Sequence, residues 1–150
     1  PAEGAEPART ARTTRTGNDL IASLRGQLIV SCQAYPGESL RDADTMRRMA
    51  LAVLAGGAAA IRAQGLDDLY AIRAATSVPL IGLWKDGEAE VRITPTAHHV
   101  TAVARTGVDV VALDATARPR PDGGDLATSV RAAHEVGCLV MADVSSYDEG

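Results

Sequence analysis

Five polar residues stand where apolar runs stop: Gln33, Arg62, Lys85, Asp114 and Asp143. They are 29, 23, 29 and 29 residues apart, close to one strand–helix unit each. In folds built from such units, binding and catalytic groups collect at the C-terminal ends of the strands. Asp, Gln and Ser after a strand also serve as helix caps, but a cation makes a poor N-cap, so Arg62 and Lys85 point more strongly to chemistry. Lys85 follows Pro79-Leu80-Ile81-Gly82-Leu83-Trp84, so its stem leaves a dry strand end beside an indole. Desolvation disfavours an ammonium, which makes such a lysine a candidate base, with an exposed surface lysine as the alternative. The histidines give no metal pattern. His98 and His99 are adjacent and diverge on a helix, His134 stands alone, and no Cys or His pair has zinc spacing.

These residues need elements to hold them. The pattern predicts a helix over 18–24 capped by Asn18, then alternating strands and helices. Strands are expected at 28–30, 58–61, 79–84, 108–113 and 138–142. Helices are expected at 44–55, 66–75, 97–105 and 125–135, with a new helix starting near Ser145, and 86–92 reads as a polar stretch. The strands are continuous apolar runs, not alternating ones, which marks a parallel sheet buried on both faces. Two architectures fit this pattern. Five units make a complete doubly wound sheet, although no glycine-rich phosphate loop follows the first strand. Five units are also the front of an eight-stranded barrel, which takes over about 200 residues.

Composition narrows the function. The 150 residues are 46% hydrophobic and only 3% aromatic, with no Phe, so Ala, Val, Leu and Ile must fill the core. A net charge of −4 offers no basic face for nucleic acid. No apolar run reaches the roughly 18 residues of a membrane span, and no secretory signal pattern opens the chain. A cytoplasmic location is therefore expected. Cys32 and Cys138 fall at opposite ends of the expected sheet, too far apart for a disulfide, and read as free thiols. Residues 1–17, rich in Pro, Gly, Thr and Arg, read as a disordered tail ahead of a domain over 18–150.

Several segments resemble N-acetylmannosamine-6-phosphate 2-epimerases: Val30-Ser31-Cys32-Gln33-Ala34, Ile61-Arg62-Ala63-Gln64-Gly65, Ile81-Gly82-Leu83-Trp84-Lys85, Ile93-Thr94-Pro95-Thr96, the run from Ala112 to Gly123, and Met141-Ala142-Asp143. The resemblance covers about residues 18–150. Gln64 and Trp84 depart from it, as does a slightly short loop after Lys85. It implies a TIM (β/α)8 barrel of which this chain holds the first five strands, with three further strands bearing a carboxylate partner for the lysine and the phosphate-binding loops. The implied reaction removes and returns the proton at C2 of a phosphorylated N-acetylhexosamine, with no metal or nicotinamide cofactor. By resemblance Lys85 is one of the acid/base pair, Gln33 and Arg62 bind the sugar, and Asp114 holds hydroxyls or steers the lysine. Arg118 and Arg120 either close over the site or form a salt-bridged loop, and Asp143 receives no acid/base role. A homodimer is compatible with the family. Two other readings remain: a non-catalytic half-barrel that binds a partner chain, and another ribulose-phosphate-type barrel isomerase.

Overall fold

A computed structural model describes residues 16–150. The expectation of a disordered tail concerns residues that, up to 15, lie outside that range. Thr16 and Gly17 belong to the fold: helix α1 (Gly17–Leu24) opens one residue earlier than expected, and its cap is Thr16, not Asn18. Thr16 Oγ1 accepts from the Asp19 backbone N–H while Asp19 answers the Thr16 backbone, a reciprocal capping box.

Five strands follow, β1 (Ile29–Cys32), β2 (Ala60–Gln64), β3 (Leu80–Leu83), β4 (Val110–Asp114) and β5 (Leu139–Asp143). Between them run α2 (Ala43–Ala55), α3 (Leu66–Ala75), α4 (Ala97–Arg105) and α5 (Leu126–Glu135). The sheet is wholly parallel with spatial order β1-β2-β3-β4-β5. A doubly wound sheet reverses direction about its first strand, so this sequential order excludes it and leaves the barrel. Where a helix was expected near Ser145 there is only a short 3-10 turn, Tyr147–Glu149.

Each strand sorts its side chains by parity. Cys32, Ile61, Ala63, Leu80, Val111 and Leu113 join Met46, Leu69, Ile72, Val100 and Val103 of the helices in one apolar layer. Ile29, Ile81, Leu83, Val110, Ala112, Leu139 and Met141 form a second layer on the other face. Leu20 of α1, 6% exposed, is packed into that inner layer. With helices outside and apolar residues inside, both faces of the sheet are buried along β2, β3 and β4, which is why those strands read as near-continuous apolar runs.

Four of the strands lie one to three residues further along the chain than expected, and β3 is one residue shorter than expected at each end. Ala58, Val108 and Cys138 are buried before the ladder begins, so the apolar runs start early. At the other end, Gln64, Asp114 and Asp143 are polar yet still in strand, because they face inward at the strand ends.

Candidate functional site

Inward parity continues past the apolar layer and selects the polar residues. On β2, Arg62 lies between Ile61 and Ala63, both of which face the helices, so it points the other way. It was expected to follow the strand, and instead sits at its middle. Asp114 and Asp143 close β4 and β5 on the same inward face and are direct neighbours in register. Lys85 and Gln33 continue the inward parity just beyond β3 and β1. None of the five caps a helix. That work falls to Thr16, Asp42, Thr96 and Asp125.

The sheet is curled, and one contact demonstrates it. Arg62 Nη2 donates to Asp143 Oδ2 at 2.5 Å. On a flat sheet, side chains stand roughly perpendicular and strands lie about 4.8 Å apart, so groups three strands apart would be about 14 Å from meeting. The ion pair therefore spans the concave side. Arg62 Nε is buried and has no partner among the described residues. Asp143, a strand end with no acid/base role expected of it, is thus the ion-pair partner of Arg62.

Two inward carboxylates side by side repel unless each is satisfied. Asp143 has Arg62. Asp114 Oδ1 accepts from both the backbone N–H and the hydroxyl of Thr116, at 2.9 and 2.7 Å. Gln33 Nε2 donates to Ser31 Oγ at 2.5 Å.

Lys85 meets Tyr35. Nζ donates to the phenol oxygen at 2.8 Å and lies 4.6 Å from the ring centroid. The lysine ammonium, by hydrogen bond first and charge second, holds the Tyr35 hydroxyl below the ordinary tyrosine range. Nothing in the spacing of Tyr35 signals this contact. Lys85 is also the only lysine in the chain, since its other basic residues are all Arg. Guanidinium groups do not deprotonate in proteins, so this is the one side-chain amine available for proton transfer.

The expected polar stretch after Lys85 is a small hairpin-like excursion. Lys85 bridges Ile93, the Asp86 N–H donates to Arg92 O at 3.1 Å, and Val91 is buried. Thr94 closes it at φ 46°, an uncommon conformation for a β-branched residue. Three bonds hold it there: its N–H to Trp84 O at 2.8 Å, its hydroxyl to Ala112 O at 2.7 Å, and the Trp84 N–H to its hydroxyl at 3.1 Å. His99 adds a brace, bonded to Asp86 at 3.1 Å and Thr96 at 2.7 Å, with its ring 4.5 Å from that of Trp84. The backbone on either side of the lysine is thereby fixed.

Arg118 is exposed. Arg120 is buried and donates to the carbonyls of Pro95, at 3.1 Å, and of Asp114. It clasps the loops after β3 and β4 through backbone oxygens, where a lid or a salt bridge had been expected. No hydrogen bond joins any two of Gln33, Arg62, Lys85 and Asp114 among the described residues. A recess of about 320 Å³ lined by Ser23, Ala59, Ser77 and Pro79 lies near the N-terminal ends of the strands, away from these groups.

Strand order, outer helices and inward polar strand ends together define the front of a β/α barrel. The dihydropteroate synthase of Yersinia pestis shares that fold alone, at TM-score 0.55 and 16% identity over 77% of this chain and 44% of its own. Residues 46–150 match the NanE family, described as "Putative N-acetylmannosamine-6-phosphate epimerase", and the chain belongs to it. The protein of Cutibacterium acnes named "Putative N-acetylmannosamine-6-phosphate 2-epimerase" is 53% identical over 87% of this chain and 58% of its own length. One of the same name from Corynebacterium glutamicum is 48% identical over 87% of this chain and 57% of its own. The solved N-acetylmannosamine-6-phosphate 2-epimerase of Clostridium perfringens superposes with TM-score 0.86 at 41% identity, over 93% of this chain and 62% of that one. The chain thus spans less than two thirds of the length of these relatives.

Proposed function

We propose that these residues form the lysine-bearing side of an epimerase site that interconverts N-acetylmannosamine 6-phosphate and N-acetylglucosamine 6-phosphate. The observation that carries this reading is the placement of the sole lysine, Lys85, at the C-terminal end of β3 on the inward face. The reaction removes the proton at C2 and returns one to the opposite face. It therefore needs an acid/base group on each side of that carbon, and Lys85 supplies one.

Arg62, a part-exposed cation on the inner face, is suited to a sugar oxygen. Asp114 keeps Oδ2 for a hydroxyl while Thr116 holds Oδ1. Gln33 offers an amide and Arg118 an exposed cation. Arg120 acts by holding the loops that carry Asp114 and Thr96. The reading includes no cofactor, takes a phosphorylated N-acetylhexosamine as the ligand, and allows a homodimer in the cytoplasm. It assigns the second acid/base and the phosphate anchor to strands beyond the five present. The 150-residue chain alone is then inactive, because positioning and proton transfer fail together.

The test is solvent deuterium exchange at C2 in a protein extended to the length of its relatives. Lys85→Met keeps most of the stem and removes the amine, and is expected to lower exchange by about 10²- to 10⁴-fold. Exchange at the unaltered rate would remove Lys85 from the mechanism.

A further inference from the structure

Tyr35 is presented by a hydrogen-bonded turn. In Tyr35-Pro36-Gly37-Glu38 the Glu38 N–H donates to Tyr35 O at 3.1 Å, Pro36 fixes the second position, and Gly37 takes φ 91°. These are the requirements of a type II turn. The Glu38 carboxylate accepts from the Tyr35 N–H at 2.7 Å and locks the turn from its other side. The result is a half-exposed ring held at the end of β1, with its oxygen on Lys85 Nζ, across β2 from the lysine's own strand.

Isolated exposed lysines lose side-chain entropy when they settle on one partner, and most such contacts contribute little. This contact differs in that both ends are built. The lysine backbone is pinned by Thr94 and His99, and the tyrosine backbone by its turn. A four-carbon stem then has to choose among few directions, and a donor acceptor pair with the ring beside the charge selects one of them.

We infer that Tyr35 is the positioning residue for Lys85, holding its side-chain nitrogen at the mouth of the inward face in the orientation from which it meets the substrate. The inference rests on the proposed role of Lys85 as acid/base group. The other charged groups around the pair are Glu38 on the turn, and Asp86 and Arg92 on the excursion after Lys85.

A single lysine makes the contact directly readable. In the 150-residue chain isotope-labelled at the lysine side-chain nitrogen, the ammonium signal is expected to be protected from hydrogen exchange. Tyr35→Phe, which keeps the ring, and Tyr35→Ala, which removes it, should shift the signal and speed exchange, the alanine more. Lys85→Met should shift the ionisation of Tyr35 to higher pH, followed by tyrosinate absorbance. In the extended protein, Tyr35→Phe is expected to lower turnover of C2 deuterium exchange by about three- to tenfold, the worth of one hydrogen bond, with KM nearly unchanged. An ammonium signal indifferent to both Tyr35 variants overturns the inference, as does unchanged turnover in Tyr35→Phe. If the unaltered extended protein exchanges no deuterium at C2, the proposed reaction fails while the ammonium signal still decides whether Tyr35 holds Lys85.

Discussion

Asp68, in the first turn of α3, is fully buried, and its Oδ2 finds no partner among the described residues. Its other oxygen takes Arg41 Nη1 at 2.7 Å, from the loop between β1 and α2. Burial pushes the carboxyl up and Arg41 pulls it back, with burial the stronger. Arg41→Ala leaves a buried carboxylate alone and is expected to cost near the lower end of the roughly 3–5 kcal/mol seen for broken buried pairs, since Arg41 is partly exposed. The sign of the pH dependence follows from the raised value. Above it the lone carboxylate is charged and the loss is full; as pH falls through it the carboxyl protonates and the loss shrinks. Denaturant midpoints of both proteins across the acid range check this, and a loss that grows toward low pH would contradict it. At this scale the sequence was legible where chemistry forces a residue type. Lys85, Arg62 and Asp114 stood out as polar groups after apolar runs, and strand parity places all three on the inward face. Tyr35 did not stand out, because its contact depends on the direction of a turn, and Asp143 acquires its partner only when the sheet curls.

At the scale of elements, Gly82 sets how closely two helices approach the sheet. It lies on β3 facing outward, where a Cβ would come within 2.6 Å of Val108 Cγ1 and 3.0 Å of both Leu69 Cδ1 and Val103 Cγ1. Those atoms belong to the turn before β4 and to α3 and α4. Gly82→Ala is expected to destabilise by about 1–3 kcal/mol through overpacking, read as a lower urea midpoint with an unchanged slope. An unchanged midpoint would mean that the helices yield freely. Helices α3 and α4 were legible to the residue, because leucine and valine at helical spacing end against Gly, Thr or a cap. Strand limits were less so. An apolar run records burial, whereas a strand records hydrogen bonding, and at Ala58, Val108 and Cys138 the two part company. The turn after Lys85 was illegible for a different reason. Its backbone is held at Thr94 by bonds to Trp84 and Ala112, residues ten back and eighteen ahead.

For the whole molecule, the strand order leaves β1 and β5 as the outer strands of the sheet, and β5 keeps Leu139, Val140 and Met141 only half covered. Unpaired parallel edges beside apolar side chains invite further pairing. The 150-residue chain is therefore expected to associate, with mass by light scattering rising with concentration, and a monomer at every concentration would count against this. The choice between doubly wound sheet and barrel could not be made from periodicity, because both bury a strand on two faces; only strand order separates them. The Arg62–Asp143 pair follows from the same curvature and has a practical meaning. It ties the second strand to the fifth across the concave face of the sheet. Under the proposed function, shape and recognition share a single bond, and a ligand drawing the guanidinium toward itself would slacken the arch as it settles. Tight grip and a stiff arch are then rival demands on one side chain, and a variant at Arg62 changes both at once.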